Sequence, residues 1–331
     1  MDDLERRIRA SSPSPVGRNS PLSRRAEDEL AALLSTKPNA EIVPVLPGRS
    51  DARKWITAIV AILILASVFF AGNVIPRPGA SAATLPPLTS SPIDGTLEDV
   101  LERLSVAAQN TQNKPASHQR SVVYETWSAD IAVGDGRSVE VFIQPQEIKR
   151  TWSDDLSGRI QTRAGAVRWG EQTDSAPASK PGTILDDSTF GPGEYPALFP
   201  ATPPTSAGEM RTYLSSVLGL TDESTAGEWF KAIQDLRSDW PLSGAQTSPL
   251  VQIIKTLPDV VVSGTVVDRI GRTGIALETE TRADGRFKDI LVFDGTTGLL
   301  LSAEDVYLGG LEDTNLPAMT VLSYIAWKGE K

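Results

Sequence analysis

The chain has 331 residues, 40% of them hydrophobic and 22% charged, enough apolar content to bury a core and too much for disorder by composition. It has no cysteine and one histidine, His118, which excludes disulfides, iron–sulfur and cysteine–zinc sites, thiol catalysis and multi-histidine metal centres. The formal net charge of −10 argues against nucleic acid as a partner.

Residues 1–54 carry ten Lys/Arg against eight Asp/Glu. Leu4 and Ile8 lie four apart, and Leu22, Leu30, Leu33 and Leu34 mark a second amphipathic stretch that Ser23 caps. Pro38, Pro44 and Pro47 stop it. This tail is too short for a core of its own, so its helices need a partner.

Residues 55–75, WITAIVAILILASVFFAGNVI, hold 21 residues without a charge. As a helix they reach roughly 30 Å, the thickness of a bilayer core. Lys37, Arg49, Arg53 and Lys54 lie within 20 residues before the run, and Arg77 alone lies within 20 after it. That asymmetry puts the N-terminus in the cytoplasm and the long C-terminal part outside the cell membrane. Trp55 stands where an interfacial anchor belongs. Ala80-Ser81-Ala82 has the small residues of a signal-peptide cleavage site. The 54 residues before the run and its length favour an uncleaved single-pass anchor; cleavage after Ala82 stays the alternative.

Residues 76–95 hold five prolines and read as an extended spacer, at most ~60 Å long. Residues 96–331 form the outer domain. It opens on a helix with a capping-box-like start, Thr96 to Asp99, and Leu97, Val100, Leu101, Leu104 and Ala108 at helical spacing. Three strands are predicted next, over 120–130, 137–154 and 158–170, with a hairpin turn at Gly134–Gly136. Residues 170–206 hold seven prolines and no clear period, a long loop with Phe190, Tyr195, Leu198 and Phe199 as apolar anchors. Helices follow over 207–220, 225–240 and 248–260. Five strands then follow over 261–270, 273–281, 286–294, 299–308 and 318–327. Helix, strands, helices, strands is an α+β order with an antiparallel sheet packed with helices.

No phosphate loop, dinucleotide fingerprint or zinc-protease motif occurs. Asp154-Asp155 and Asp186-Asp187 are acidic pairs, which glycoside hydrolysis would need across a cleft. Neighbours in a loop are more often solvated turn residues. His118 reads as a surface histidine. No catalytic residue, metal ligand or cofactor site is assigned, and the chain is not expected to be an enzyme.

Leu257-Pro-Asp-Val260, Asp268-Arg-Ile-Gly-Arg272, Gly274-Ile-Ala-Leu277, Leu291-Val-Phe-Asp294 and Thr297-Gly-Leu-Leu300 resemble actinobacterial single-pass membrane proteins. In these, a short cytoplasmic tail precedes one span and an outer α+β domain. That outer domain is similar in outline to lipoprotein-carrier half-barrels. The residue-level likeness covers about positions 250–302, and such proteins are often discussed with extracytoplasmic-function sigma factors. Zinc anti-sigma domains carry a histidine and a Cys-x-x-Cys pair. This tail has neither, so any contact with a sigma factor is made without zinc.

The resemblance implies a membrane-anchored sensor or regulator that meets a sigma factor or another cytoplasmic protein through residues 1–54. The alternative is an anchored module for a lipid or other apolar ligand. A half-barrel also implies a cavity. Trp127, Trp152 and Trp169 fall on the three N-terminal strands. With Phe190, Tyr195 and Phe199 as a lid, they are the candidate lining; ordinary core packing is the other reading.

Overall fold

The computed structural model describes residues 85–111, 119–129, 142–170, 178–310 and 317–329. The predicted tail, the predicted span, residues 76–84 of the spacer, His118 and the turn at Gly134–Gly136 lie outside them. Among the described residues, no helix is long and apolar enough to cross a membrane.

The architecture is α+β, with four helices among the described residues. An open antiparallel sheet of nine strands runs in the order β6-β4-β3-β1-β11-β10-β9-β8-β7. On one side lie β1 (Gln119–Ser128), β3 (Gln146–Ser153), β4 (Gly158–Ala164) and β6 (Ile184–Phe190). On the other, β7 (Val261–Val267), β8 (Thr273–Arg282), β9 (Phe287–Phe293), β10 (Leu300–Tyr307) and β11 (Thr320–Lys328) form a meander. The halves join where β1 pairs with β11, Trp127 opposite Tyr324.

Two predicted strands break. Pro145 has no N–H to donate, and it splits the second into β2 (Phe142–Ile143) and β3. The third splits into β4 and β5 (Trp169–Gly170), and β2 and β5 pair as a small separate sheet. The segment read as a loop over 170–206 contains β6. This edge strand pairs with β4, where Arg159 bonds Asp187 across the ladder. Its apolar residues sit only at its ends, so no alternation marks it.

Helices α1 (Leu97–Asn110), α2 (Ala207–Leu218), α3 (Ala226–Asp239) and α4 (Gly244–Lys255) cover one face of the sheet. The Thr96–Asp99 capping box forms in both directions. Thr225–Glu228 starts α3 and Ser243–Gln246 starts α4 in the same way. α4 therefore begins four residues before the predicted Ser248. The Ser248 hydroxyl lies 2.9 Å from that of Ser105 on α1 instead. At Gly244 the two helices touch backbone to backbone: a methyl there would sit 2.0 Å from the Ala108 carbonyl oxygen.

Between α3 and the sheet runs a band of ion pairs: Lys231–Asp305 at 3.0 Å, Arg282–Asp289 at 2.8 Å and Arg150–Asp239 at 2.7 Å. Asp235 is partly buried among them. Burial pushes its carboxyl up to about 6, Lys231 and Arg150 pull it down, and Asp239 and Asp305 push it up again. A carboxyl raised in the fold stabilises it most below the unfolded value. That contribution is lost as pH rises through about 6. Asp235→Asn is therefore expected to gain ~1–2 kcal/mol at pH 7.5 after allowance for solvent screening, and to flatten the fall in stability between pH 4 and 6.5. Urea unfolding at a series of pH values checks this. Asp289, also pushed up by burial to about 6, keeps part of the slope in the variant.

Candidate functional site

The six predicted lining residues do not share a cavity. Trp152, Phe190, Tyr195 and Phe199 belong to the core under the helices, whereas Trp127 and Trp169 pack on the opposite face. Strand alternation is the reason. On β1, Arg120, Val122 and Tyr124 face the helices, and Glu125 and Trp127 face away. Trp152 pairs with Arg120 and shares its face. Trp169 has left the large sheet for β5.

The helix-side aromatics are filled in. Trp152 is 1% exposed. It stacks on Tyr195 with centroids 5.6 Å apart, meets Trp240 edge-on at 5.3 Å, and donates from Nε1 to the Asp239 carbonyl at 3.1 Å. The Arg120 guanidinium lies 4.2 Å from the Trp152 ring and 4.4 Å from that of Trp240. The predicted lid is pinned as a plug: Leu198 and Phe199 donate their N–H groups to the Asp239 carboxylate at 2.7 and 3.0 Å. The acidic pairs serve structure as well. Asp155 accepts from the Ser157 N–H and hydroxyl in the β3–β4 turn, and Asp187 pairs with Arg159. Among the described residues no group of three or more His, Asp or Glu is placed to hold a metal ion.

The opposite face carries a buried polar network that the sequence reading did not assign. Glu304 projects from β10 and accepts two hydrogen bonds from Arg269, at 2.6 and 2.7 Å, with side-chain exposures of 1% and 5%. Burial pushes the Glu304 carboxyl up, and Arg269 opposes it. Arg269 sits in the β7–β8 turn, which Asp268 holds by accepting from Ile270, Arg272 and the Arg272 guanidinium. Its backbone carbonyl accepts from Arg168, which also donates to Glu125 at 2.9 Å. Tyr324 donates to the other Glu125 oxygen at 2.8 Å. Burial raises the Tyr324 hydroxyl, and Glu125 adds to that, so it stays a donor. Trp169 lies over Arg269 at 5.9 Å and edge-on to Tyr324 at 6.3 Å.

This network grips a strap. Residues 85–92 cross the opposite face toward β7. Leu85 is buried, and Leu88 packs on the same cluster. Arg269 Nη1 donates to the Pro86 carbonyl at 2.8 Å. Ser91 and Thr265 exchange two backbone hydrogen bonds of 2.8 Å. Gly264, at φ +124°, admits the strap, since a methyl there would lie 2.1 Å from the Ser91 oxygen. A groove of about 240 Å³ remains between Leu88 and Ser90 of the strap and Ser263, Glu278 and Lys288 of the sheet. Chemically, the site holds a polypeptide by its backbone; the Glu304–Arg269 pair fixes a donor where a carbonyl must sit.

The sequence matches no protein-family model and no curated protein. Among solved structures, the MucA/MucB complex of Pseudomonas aeruginosa is similar at 16% identity, covering 70% of this chain and 56% of that one, with a TM-score of 0.23. The chain thus spans little more than half of that structure's length. A LolA superfamily protein from Nitrosomonas europaea is similar at 10% identity, covering 71% and 92%, with a TM-score of 0.17. The dehydratase domain of the CurF module of curacin polyketide synthase follows at 9% identity, 74% and 85%, with a TM-score of 0.12. Scores this low carry no weight on function.

Proposed function

We propose that the chain is a membrane-anchored, non-enzymatic sensor or regulatory protein. Residues 55–75 cross the cell membrane once, residues 1–54 lie in the cytoplasm, and the α+β unit lies outside. The tail meets a sigma factor or another cytoplasmic protein. One observation carries this reading: the segment that follows the apolar run is gripped by a buried ion pair. A spacer that merely lifted a domain off a membrane would need no such grip. Buried charges are a costly way to gain stability, and they are better attested as devices that fix one arrangement. Here the arrangement fixed is that of the domain on its own tether. The rival reading, a holder of an apolar ligand, needs an empty apolar interior. The cluster around Trp152 is occupied by Arg120, Tyr195 and Trp240, which supports the regulator.

Cells with the full chain, with none, and with the chain lacking residues 2–50 separate the two. The full chain is expected to change the transcript profile, and the truncated chain to resemble the null. A truncated chain that acts like the full one overturns the reading. A reporter fused after Lys331 is expected outside the cytoplasm; a cytoplasmic signal overturns the topology.

A further inference from the structure

We propose that residues 85–92 form a releasable latch, whose undocking lengthens the tether between membrane and domain while the domain stays folded. The inference rests on the anchored reading for its purpose, and on the strap alone for its physics.

The strap is lightly held for its length. Six of its eight residues are exposed. Among the described residues three hydrogen bonds tie its backbone down: the Ser91–Thr265 pair and the one from the Arg269 side chain to the Pro86 carbonyl. Ser91 makes an isolated bridge with Thr265 that extends into no ladder along β7 among the described residues, and Pro86 and Pro87 have no N–H to donate to the sheet. Leu85 alone is fully buried. Segments with few buried apolar contacts and exposed backbone bonds open at the low end of the local stability scale.

The receiving site does not depend on the strap. Glu304 holds Arg269 in a bidentate pair, and Arg168 bonds its carbonyl. Asp268 and Arg272 fix the turn, and Arg272 reaches the Leu301 carbonyl at 2.7 Å. The grip is preformed, and undocking exposes one Arg269 N–H, the Thr265 N–H and carbonyl, and the Leu85 and Leu88 footprint, without dismantling the sheet. Eight residues released at ~3.3 Å each add roughly 26 Å of reach. Docked, the domain is held short; undocked, it is not.

Hydrogen exchange on the full chain in detergent micelles tests this. The Ser91 amide is expected to exchange at least ~10-fold faster than amides of β9 and β10, by an opening that low urea leaves unchanged. Leu85→Asp should speed exchange of Ser91 and its strap neighbours a further ~10-fold while β9 and β10 keep their protection. The double variant Ser91→Cys, Thr265→Cys has no other cysteine to mispair with, and these residues face each other as a hydrogen-bonded pair within disulfide reach. Once oxidised, it should slow strap exchange to the level of β9. Strap amides that exchange only with global unfolding, at the rate and urea dependence of β9, overturn the latch. So does a Leu85→Asp variant that loses protection in the strap and β9 alike. These readouts are independent of the tail: an opening strap with a tail that changes no transcript keeps the latch and removes the regulator.

Discussion

Glu304→Leu is expected to destabilise the fold by about 3–5 kcal/mol, because it leaves the Arg269 guanidinium buried without its carboxylate. The geometry sets this scale. Both side chains are almost wholly shielded from water, and both Glu304 oxygens accept from Arg269. The companion variant decides what the pair is for. Arg269→Met with Glu304→Leu removes both charges, and such replacements are often neutral or stabilising. The double variant should therefore recover most of the loss in urea unfolding. It should still lose the bond to Pro86, so its strap should exchange faster than that of the unaltered chain. If the double variant is as unstable as Glu304→Leu, the pair contributes net stability. If it is stable and its strap stays protected, Arg269 does not hold the strap.

Local signals made most of the fold legible. The β-branched runs of β7 to β11, the spacing of Leu97, Leu101, Leu104 and Ala108, and the Thr96–Asp99 start each sit within a few residues of sequence, and each forms its element. Pro145 showed its effect only once the strand had to lie in a ladder. β6 was missed because an exposed edge strand needs no apolar face. The candidate site failed on parity. Tryptophans recurred on successive strands, but whether they share a face depends on register: β1 and β3 pair with Arg120, not Trp127, on the face of Trp152, and Trp169 lies in a different sheet. No local signal carries that. One signal for the true network was present. Glu304 is a carboxylate inside LLLSAEDVYL, a strand otherwise rich in apolar residues, and Arg269 lies in the run Asp268–Arg272. A charge in such a strand needs a partner, and an arginine in a nearby turn is a candidate for it.

Trp152→Ala is expected to cost about 3–5 kcal/mol, the usual range for truncating a buried tryptophan, with no separate effect on ligand binding. Three losses add up. The indole leaves a space between Tyr195 and Trp240. The Asp239 carbonyl loses its donor at 3.1 Å. Arg120 keeps a ring on one side only. The last matters because Arg120 pairs with Asp154 through Nη2, while its Nε and Nη1 are buried with no hydrogen-bond partner among the described residues, so the flanking rings complete the setting of the guanidinium. Trp152→Phe, which keeps a ring near Arg120 but not the donor, should cost less than Trp152→Ala. Arg120→Met should shrink the difference between Trp152→Ala and Trp152→Phe, since the guanidinium is then gone from both backgrounds. Urea unfolding of the five chains measures these differences. A fatty-acyl probe titrated into the unaltered chain should give no saturable quenching of tryptophan fluorescence. Saturable quenching that Trp152→Ala removes, with the unfolding midpoint unchanged, would make the cluster a ligand site and restore the anchored holder of an apolar ligand as the better reading.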